Sequence, residues 1–297
     1  AQGDKAIVAD ATSPAGHALR GDALLALGQS NEAVTSYEEA LRLAPGAVNV
    51  HLALISLLVR GGDLDGATAR LPAMQKVAPD APATLYLQAL VNYYRNQPQP
   101  AREAIDRLLA MMPDNPSAQL LAGAIYIQVG NQLQAQRYLE SALQRLPDNP
   151  TARRLLASSL LASGEAARAR SLLAPLADSG ADANTLTLAG QAFLAAGDPR
   201  QATAYFSRAV ASNPQDAAAH TRLAVARMTA GETDRALAEL EKAAQLDGSS
   251  GEPDVALVLA HMRARDYDKA LAAQQQLEQK QPNNPHTYNL KGGILLG

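Results

Sequence analysis

The sequence predicts an all-α solenoid of antiparallel helix pairs, on three observations. The first is composition: of 297 residues, 62 are Ala and 44 are Leu, against nine Tyr, two Phe and no Trp. Ala and Leu are the strongest helix formers and the types that strands favour are scarce, which disfavours a β-sandwich or barrel. The second is a period. Alanine recurs at Ala33, Ala67, Ala101, Ala135, Ala169, Ala202, Ala236 and Ala270, at intervals of 34 residues with a single 33. The third is that other columns keep the same register. Twelve residues after the alanine come Pro45, Pro79, Pro113, Pro147, Pro214 and Pro282, with Ala181 and Gly248 as departures. Five residues before it stand Gly28, Gly62, Gly130, Gly164, Gly197 and Gly231, with Asn96 and Arg265 as departures.

Each period reads as two helices of ~14 residues, about 21 Å long. The first carries apolar residues at helical spacing, such as Leu120, Leu121, Ala124 and Ile127. It ends at the glycine column, where a left-handed residue closes a helix; Asn96 is the next-best occupant. Arg265 breaks that pattern and predicts a tighter or differently closed turn. The second helix follows the same logic in Ala135, Leu139, Ala142 and Leu146, and the proline column lies just beyond it. Asp114-Asn115-Pro116, Asp148-Asn149-Pro150 and Asn283-Asn284-Pro285 then place an Asn cap before a Pro at the first helical position. A column of small residues, Gly21, Ala89, Gly123, Ala157, Gly190 and Ala224, lets facing helix backbones approach closely. A lone pair cannot bury its apolar faces, so neighbours must stack.

Composition also excludes classes of function. There is no Cys, hence no disulfide scaffold, thiolate metal site or cysteine nucleophile. Lys and Arg number 26 against 29 Asp and Glu, a net charge of −3, which offers no basic footprint for nucleic acid and no polybasic membrane patch. No apolar run approaches the ~18 residues of a membrane helix. The chain starts at Ala1 without a Met or signal peptide, so any targeting segment is absent from it. Phosphate loops, dinucleotide fingerprints, HExxH and GxSxG are all missing. His17 and His51 are 34 apart and His220 shares their register. Equivalent positions in successive repeats lie ~10 Å apart per packed helix, too far to share an ion bound at ~2 Å. Glu38, Glu39, Glu239 and Glu241 sit on second helices beside Lys or Arg and read as a solvated outer face. No enzyme activity, cofactor or metal is expected.

The period of 34, with its columns of small residue, Gly, Ala, aromatic or Leu, Ala and Pro, resembles the tetratricopeptide repeat (TPR) family. Residues 183–216 carry it best, in Gly190, Phe193, Gly197, Ala202, Phe206, Ala209 and Pro214. Eight repeats are expected: 14–47, 48–81, 82–115, 116–149, 150–182, 183–216, 217–250 and 251–284. The family's early tryptophan is replaced here, by His17, Leu85 or His220 for example. The resemblance implies a right-handed superhelix whose first helices line a concave groove that binds peptides or proteins. Residues 1–13 hold Ala6 where a preceding second helix would place its alanine, and read as a remnant of an earlier repeat. Residues 285–297 read as the first helix of a truncated ninth repeat, with Ile294, Leu295 and Leu296 left without a partner helix. The chain is therefore expected to be a fragment of a longer array.

Asp254–Gly297 resembles the long TPR lipoprotein of PEP-CTERM/exosortase systems, in Ala260-His261-Met262-Arg263, Asp266-Tyr267-Asp268-Lys269-Ala270-Leu271-Ala272, Gln281-Pro282-Asn283-Asn284-Pro285 and Tyr288-Asn289-Leu290-Lys291-Gly292-Gly293. That resemblance implies a bacterial envelope or periplasmic protein tied to exopolysaccharide production and protein sorting. It also implies a lipid anchor on an N-terminal part outside this chain. A cytoplasmic location is the alternative.

The family's concave positions map onto Asn49, Ser56 and Arg60 in the second repeat, and onto Tyr86, Leu90, Tyr93 and Tyr94 in the third. Gln128 in the fourth and Arg154 in the fifth join them, with Arg95 nearby as a further cation, and the concave positions continue through Asn184, Thr187 and Gln191 in the sixth repeat to Thr221, Arg222 and Met228 in the seventh. Tyr86, Tyr93 and Tyr94 share one face of one helix, and Tyr is enriched at binding hot spots. Packing between helices is the competing role for them. The positions matching the family's basic carboxylate clamp, Ala18 and Asp22 or Leu52 and Ser56, do not fit it. The function expected is a scaffold binding a peptide or protein in the groove. A structural spacer or self-associating segment of a larger protein is the alternative, and a guide for sugar polymers has thin support.

Overall fold

The computed structural model describes residues 13–296, in which seventeen α-helices follow one another with no strand among the described residues. They are α1 (Pro14–Ala26), α2 (Ser30–Leu43), α3 (Val48–Arg60), α4 (Leu64–Val77), α5 (Pro82–Tyr94), α6 (Pro98–Met111), α7 (Pro116–Val129), α8 (Gln132–Arg145) and α9 (Pro150–Ala162). Next come α10 (Ala166–Asp178), α11 (Ala183–Ala195), α12 (Pro199–Ser212), α13 (Ala217–Thr229), α14 (Thr233–Leu246), α15 (Glu252–Arg263), α16 (Tyr267–Lys280) and α17 (Pro285–Leu296). Odd-numbered helices are the first of each pair. The expected remnant of an earlier repeat falls almost wholly outside the described residues; its last residue, Ser13, caps α1 by accepting from Gly16 N–H.

Contacts divide the chain into two compact units, separating at Leu155 and Leu156. In the first unit α1 packs on α2, α3 on α4, α5 on α6 and α7 on α8. Each second helix also packs on the next first helix, α2 on α3, α4 on α5 and α6 on α7, while α3 touches α5 and α5 touches α7. The second unit repeats the scheme. Here α11 pairs with α12, α13 with α14 and α15 with α16; α12 packs on α13, α14 on α15 and α16 on α17; and α13 touches α15. From α2 to α7 in the first unit and from α11 to α16 in the second, each helix therefore packs against its neighbours on both sides in sequence, which is the stacking that the period demanded.

The columns explain the packing. All eight recurring alanines have no exposed surface. A β-carbon on Gly21 would lie 2.6 Å from Tyr37 Cε1, one on Gly190 would lie 2.7 Å from Phe206 Cε1, and one on Gly123 would overlap Leu139. The two aromatic residues of this second-helix column thus each face a glycine. Asn115 Oδ1 accepts from Ala118 N–H at 3.0 Å, Asn149 Oδ1 from Ala152 N–H at 2.9 Å and Asn284 Oδ1 from His286 N–H at 3.0 Å, capping α7, α9 and α17.

Two expectations need correction. Arg265 does not close its turn differently: it takes φ 59°, beside Asn96 at 56° and Gly130 at 85°. Arg265 N–H donates to Met262 O at 3.0 Å and Asp266 N–H to His261 O at 2.9 Å, the same pair of bonds that closes the turn at Gly130. Stacking on both sides fixes the turn, and the arginine is driven into the left-handed region. Ile294 is also not partnerless. It is 3% exposed and belongs to the core of α13–α16 with Leu257, Val258 and Ala273, whereas Leu295 and Leu296 are 68% and 91% exposed.

Candidate functional site

The first-helix face of the first unit holds the expected tyrosines. Tyr86 and Tyr93 are half-buried and pack against the core formed by α5, α6 and α7. Tyr94 is 53% exposed and meets the Tyr93 ring edge-on, with centroids 5.1 Å apart. Burial pushes the Tyr86 and Tyr93 phenols up, with a further contribution from Tyr94, so both stay protonated as hydrogen-bond donors at neutral pH. Leu90 is half-buried between the cores on either side of α5. Gln128 on α7 fixes the end of α5 in place: its Nε2 donates to Asn96 Oδ1 at 2.8 Å and to Tyr93 O at 3.3 Å.

The other expected residues are more scattered. Asn49 and Arg60 are exposed on α3 and Ser56 is half-buried there. No hydrogen bond, ion pair or ring contact ties these three to the tyrosines among the described residues. Arg60 instead lines a cleft of about 580 Å³ with Leu25, Asn31, Val34 and Leu57. Arg154 is half-buried on α9 and already engaged. Arg95, expected as a nearby cation, is turned towards α4, where it donates to Asp65 Oδ1 at 2.8 Å and Thr68 Oγ1 at 3.2 Å.

Two of the histidines, His51 and His220, have a structural explanation that the sequence also supports. Six residues after the proline column, a donor reaches back to the proline carbonyl. Gln119 Nε2 donates to Pro113 O at 2.7 Å, Arg153 Nε to Pro147 O at 2.9 Å and Tyr288 Oη to Pro282 O at 2.9 Å. His51 and His220 do the same through Nε2, at 2.8 Å from Pro45 O and 3.2 Å from Pro214 O. Among the described residues no three His, Cys, Asp or Glu side chains cluster as a metal would need. The donor at this spacing is legible in the sequence as a polar residue six after the proline column, a signal that the family's tryptophan at this position does not carry.

One carboxylate departs from the solvated outer face expected of it. Glu239 is 18% exposed and accepts from Arg227 Nη1 at 2.9 Å while lying 2.5 Å from His220 Nδ1. It bridges α13 and α14. Glu38 pairs with Arg70 of the next second helix, Glu39 with Arg42 at 2.6 Å, and Glu241 is exposed. In the eighth repeat, outside the expected set, Leu259 on α15 is 51% exposed in the column of Leu90.

Family profiles described as tetratricopeptide repeat match residues 24–91 and 133–191 in one case and 187–253 in another, more than half of the chain in all. No curated protein matches it. Solved structures share the fold at low identity. The crystal structure of the APC/C hetero-tetramer Cut9-Hcn1 matches at 16% identity and a TM-score of 0.66 over 96% of this chain, which spans 56% of that one. A tetratricopeptide repeat protein from Parabacteroides merdae matches at 17% identity and 0.56, over 83% of this chain and 98% of its own. YrrB, described as a TPR protein with an unusual peptide-binding site, matches at 16% identity and 0.52, over 65% of this chain and all of its own. The repeat columns, their burial and these profile matches agree: the chain belongs to the tetratricopeptide repeat family.

Proposed function

We propose that the chain is a non-enzymatic interaction scaffold that binds a peptide or protein on its first-helix face, with Tyr94, Tyr93, Tyr86 and Leu90 as the contact surface. One observation carries this reading. Tyr94 leaves a large, rigid ring 53% in solvent, braced edge-on by Tyr93. A preorganised ring with a hydroxyl supplies contact area at little entropic cost. Gln128 supports the arrangement by holding the turn after α5; Asn49, Ser56 and Arg60 on α3 and Arg154 on α9 lie apart from the tyrosines and enter the reading only as further first-helix positions. The peptide-binding site described for YrrB lends the reading precedent within the fold. The likeness of Asp254–Gly297 to the exosortase-system lipoprotein supports a place in a bacterial envelope assembly connected with exopolysaccharide.

The test is an affinity capture from a bacterial envelope extract, comparing wild type with Tyr94→Ala. Tyr94 is chosen because Tyr86 and Tyr93 also pack against the core, and their truncation would confuse folding with binding. Circular dichroism establishes equal helicity first. A partner held by wild type and lost by the folded variant is expected. Equal recovery by both variants moves binding off this surface, and no specific partner at all favours a spacer.

A further inference from the structure

We infer that the first-helix face of α13, α15 and α17 is a second docking surface, suited to an acidic peptide segment with apolar anchors. The inference rests on the scaffold reading but not on the tyrosines. Two clefts open here. One, of about 420 Å³, is lined by Val225, Met228, Thr229 and Arg263 among others. The other, of about 460 Å³, is lined by Val255, Leu259, Met262 and Leu290 together with Glu252, His286 and other polar residues. Val225 and Leu259 are 45% and 51% exposed, so an apolar strip runs from α13 to α15. Met228 and Met262 flank it with unbranched, polarizable side chains that adapt to a partner's shape.

Charge selects the occupant. Arg263 is exposed at the wall of the first cleft, and Arg222 lies one turn before Val225 on α13. Neither makes a hydrogen bond or ion pair among the described residues. Of the neighbouring cations, Arg227 is committed to Glu239, Lys280 to Asp254 and Lys291 to Glu278, while Arg265, exposed two residues beyond Arg263, adds a further uncommitted guanidinium among the described residues. Two free guanidinium groups beside exposed apolar side chains match a segment carrying carboxylates next to Leu, Met or Phe. Glu252, at the other end of α15, sits ~16 Å from Arg263 along the helix. The segment's acidic end is therefore directed towards Arg263, and its anchors towards Leu259 and Leu290.

The experiment selects a random peptide library displayed on phage against the immobilised full chain, then measures the leading peptide, fluorescein-labelled, by anisotropy. Expected are peptides rich in Asp or Glu beside large apolar residues. Their affinity falls about tenfold or more in Arg222→Glu/Arg263→Glu and in Leu259→Lys, and equally when their acids are changed to amides. Tyr94→Ala leaves it unchanged. Absence of acidic enrichment, or unaltered affinity in both α13–α15 variants, overturns the inference. A peptide lost in Tyr94→Ala but kept in Leu259→Lys also overturns it, while leaving the tyrosine surface standing.

Discussion

Gly190→Ala tests whether the small-residue column exists to admit the ring of the facing helix. The added carbon would lie 2.7 Å from Phe206 Cε1 and 2.8 Å from Cδ1 and Cζ. Non-bonded carbons rest at ~3.5–4.0 Å, so the ring must retreat by about 1 Å. Phe206 is 1% exposed and enclosed by Leu223, Ala226, Phe193 and Val210, and a close-packed interior leaves no room for that movement. Overpacking of this kind costs roughly 1–3 kcal/mol. Ala in place of Gly within a helix returns about 1 kcal/mol, leaving a net loss centred near 1 kcal/mol. Phe206→Leu alone loses about 1 kcal/mol from the smaller side chain. The double variant recreates the Ala/Leu combination already buried at Ala157 with Leu173 and at Ala224 with Leu240, so the clash disappears and the helix gain remains. Its stability should return to within about 1 kcal/mol of wild type, a favourable coupling of roughly 1–3 kcal/mol. Urea unfolding should be read together with hydrogen exchange of α11 and α12, because repeat arrays open locally. Strict additivity, or a Gly190→Ala variant more stable than wild type, refutes the reasoning.

Three further outcomes follow from the packing. Arg265→Gly relieves a left-handed residue and should raise stability by about 1 kcal/mol in urea unfolding, whereas Arg265→Ala should give no gain. Lys280→Met removes the ammonium that holds Asp254 at 2.7 Å, and Asp254 is 1% exposed. The loss should be about 3–5 kcal/mol, visible as faster exchange in α15–α17, and Asp254→Asn in the same chain should recover most of it. Tyr126 is pushed up to about 12, first by burial and then by its hydrogen bond to Asp106 at 2.8 Å. Its folded value lies above the unfolded one of ~10, so the folded state keeps the proton longer. The contribution is complete below pH ~10 and is lost as pH rises through about 12. Tyr37 and Tyr205 shift the same way. Thermal melts between pH 9 and pH 12 should show a steep alkaline loss, shallower in Tyr126→Phe.

The fold was legible because one physical problem recurs eight times. Each turn needs a left-handed residue, each helix crossing needs a small side chain, and each exit from a second helix tolerates proline, so the answers line up in columns. What was not legible is what depends on partners outside the column. Arg265 looked like a broken turn because propensity was read locally, while stacking on both sides imposes its geometry. Glu239 looked solvated because its neighbours in sequence are charged; Arg227 and His220 reach it from the preceding helix. Ile294 looked partnerless because the next helix was sought ahead of it, when its core lies behind in α15 and α16.

The binding surface is harder to read for a different reason. First-helix positions that face a partner answer to that partner, not to the repeat, so they vary from one period to the next and periodicity cannot find them. Tyr94 and Leu259 illustrate the point. They stand in different columns, thirteen and nine residues into their repeats counting from Pro82 and Gly251, and each leaves about half of a large side chain in water. Within a fold that buries its recurring alanines completely, exposure at those positions is the departure from pattern that points to a ligand. The acidic-peptide selection and the Tyr94→Ala capture therefore address separate surfaces. If both succeed, each unit of the chain carries its own specificity. If only one does, the other unit's exposed strip is tolerated surface, and column departures alone are too weak a guide to binding in this family.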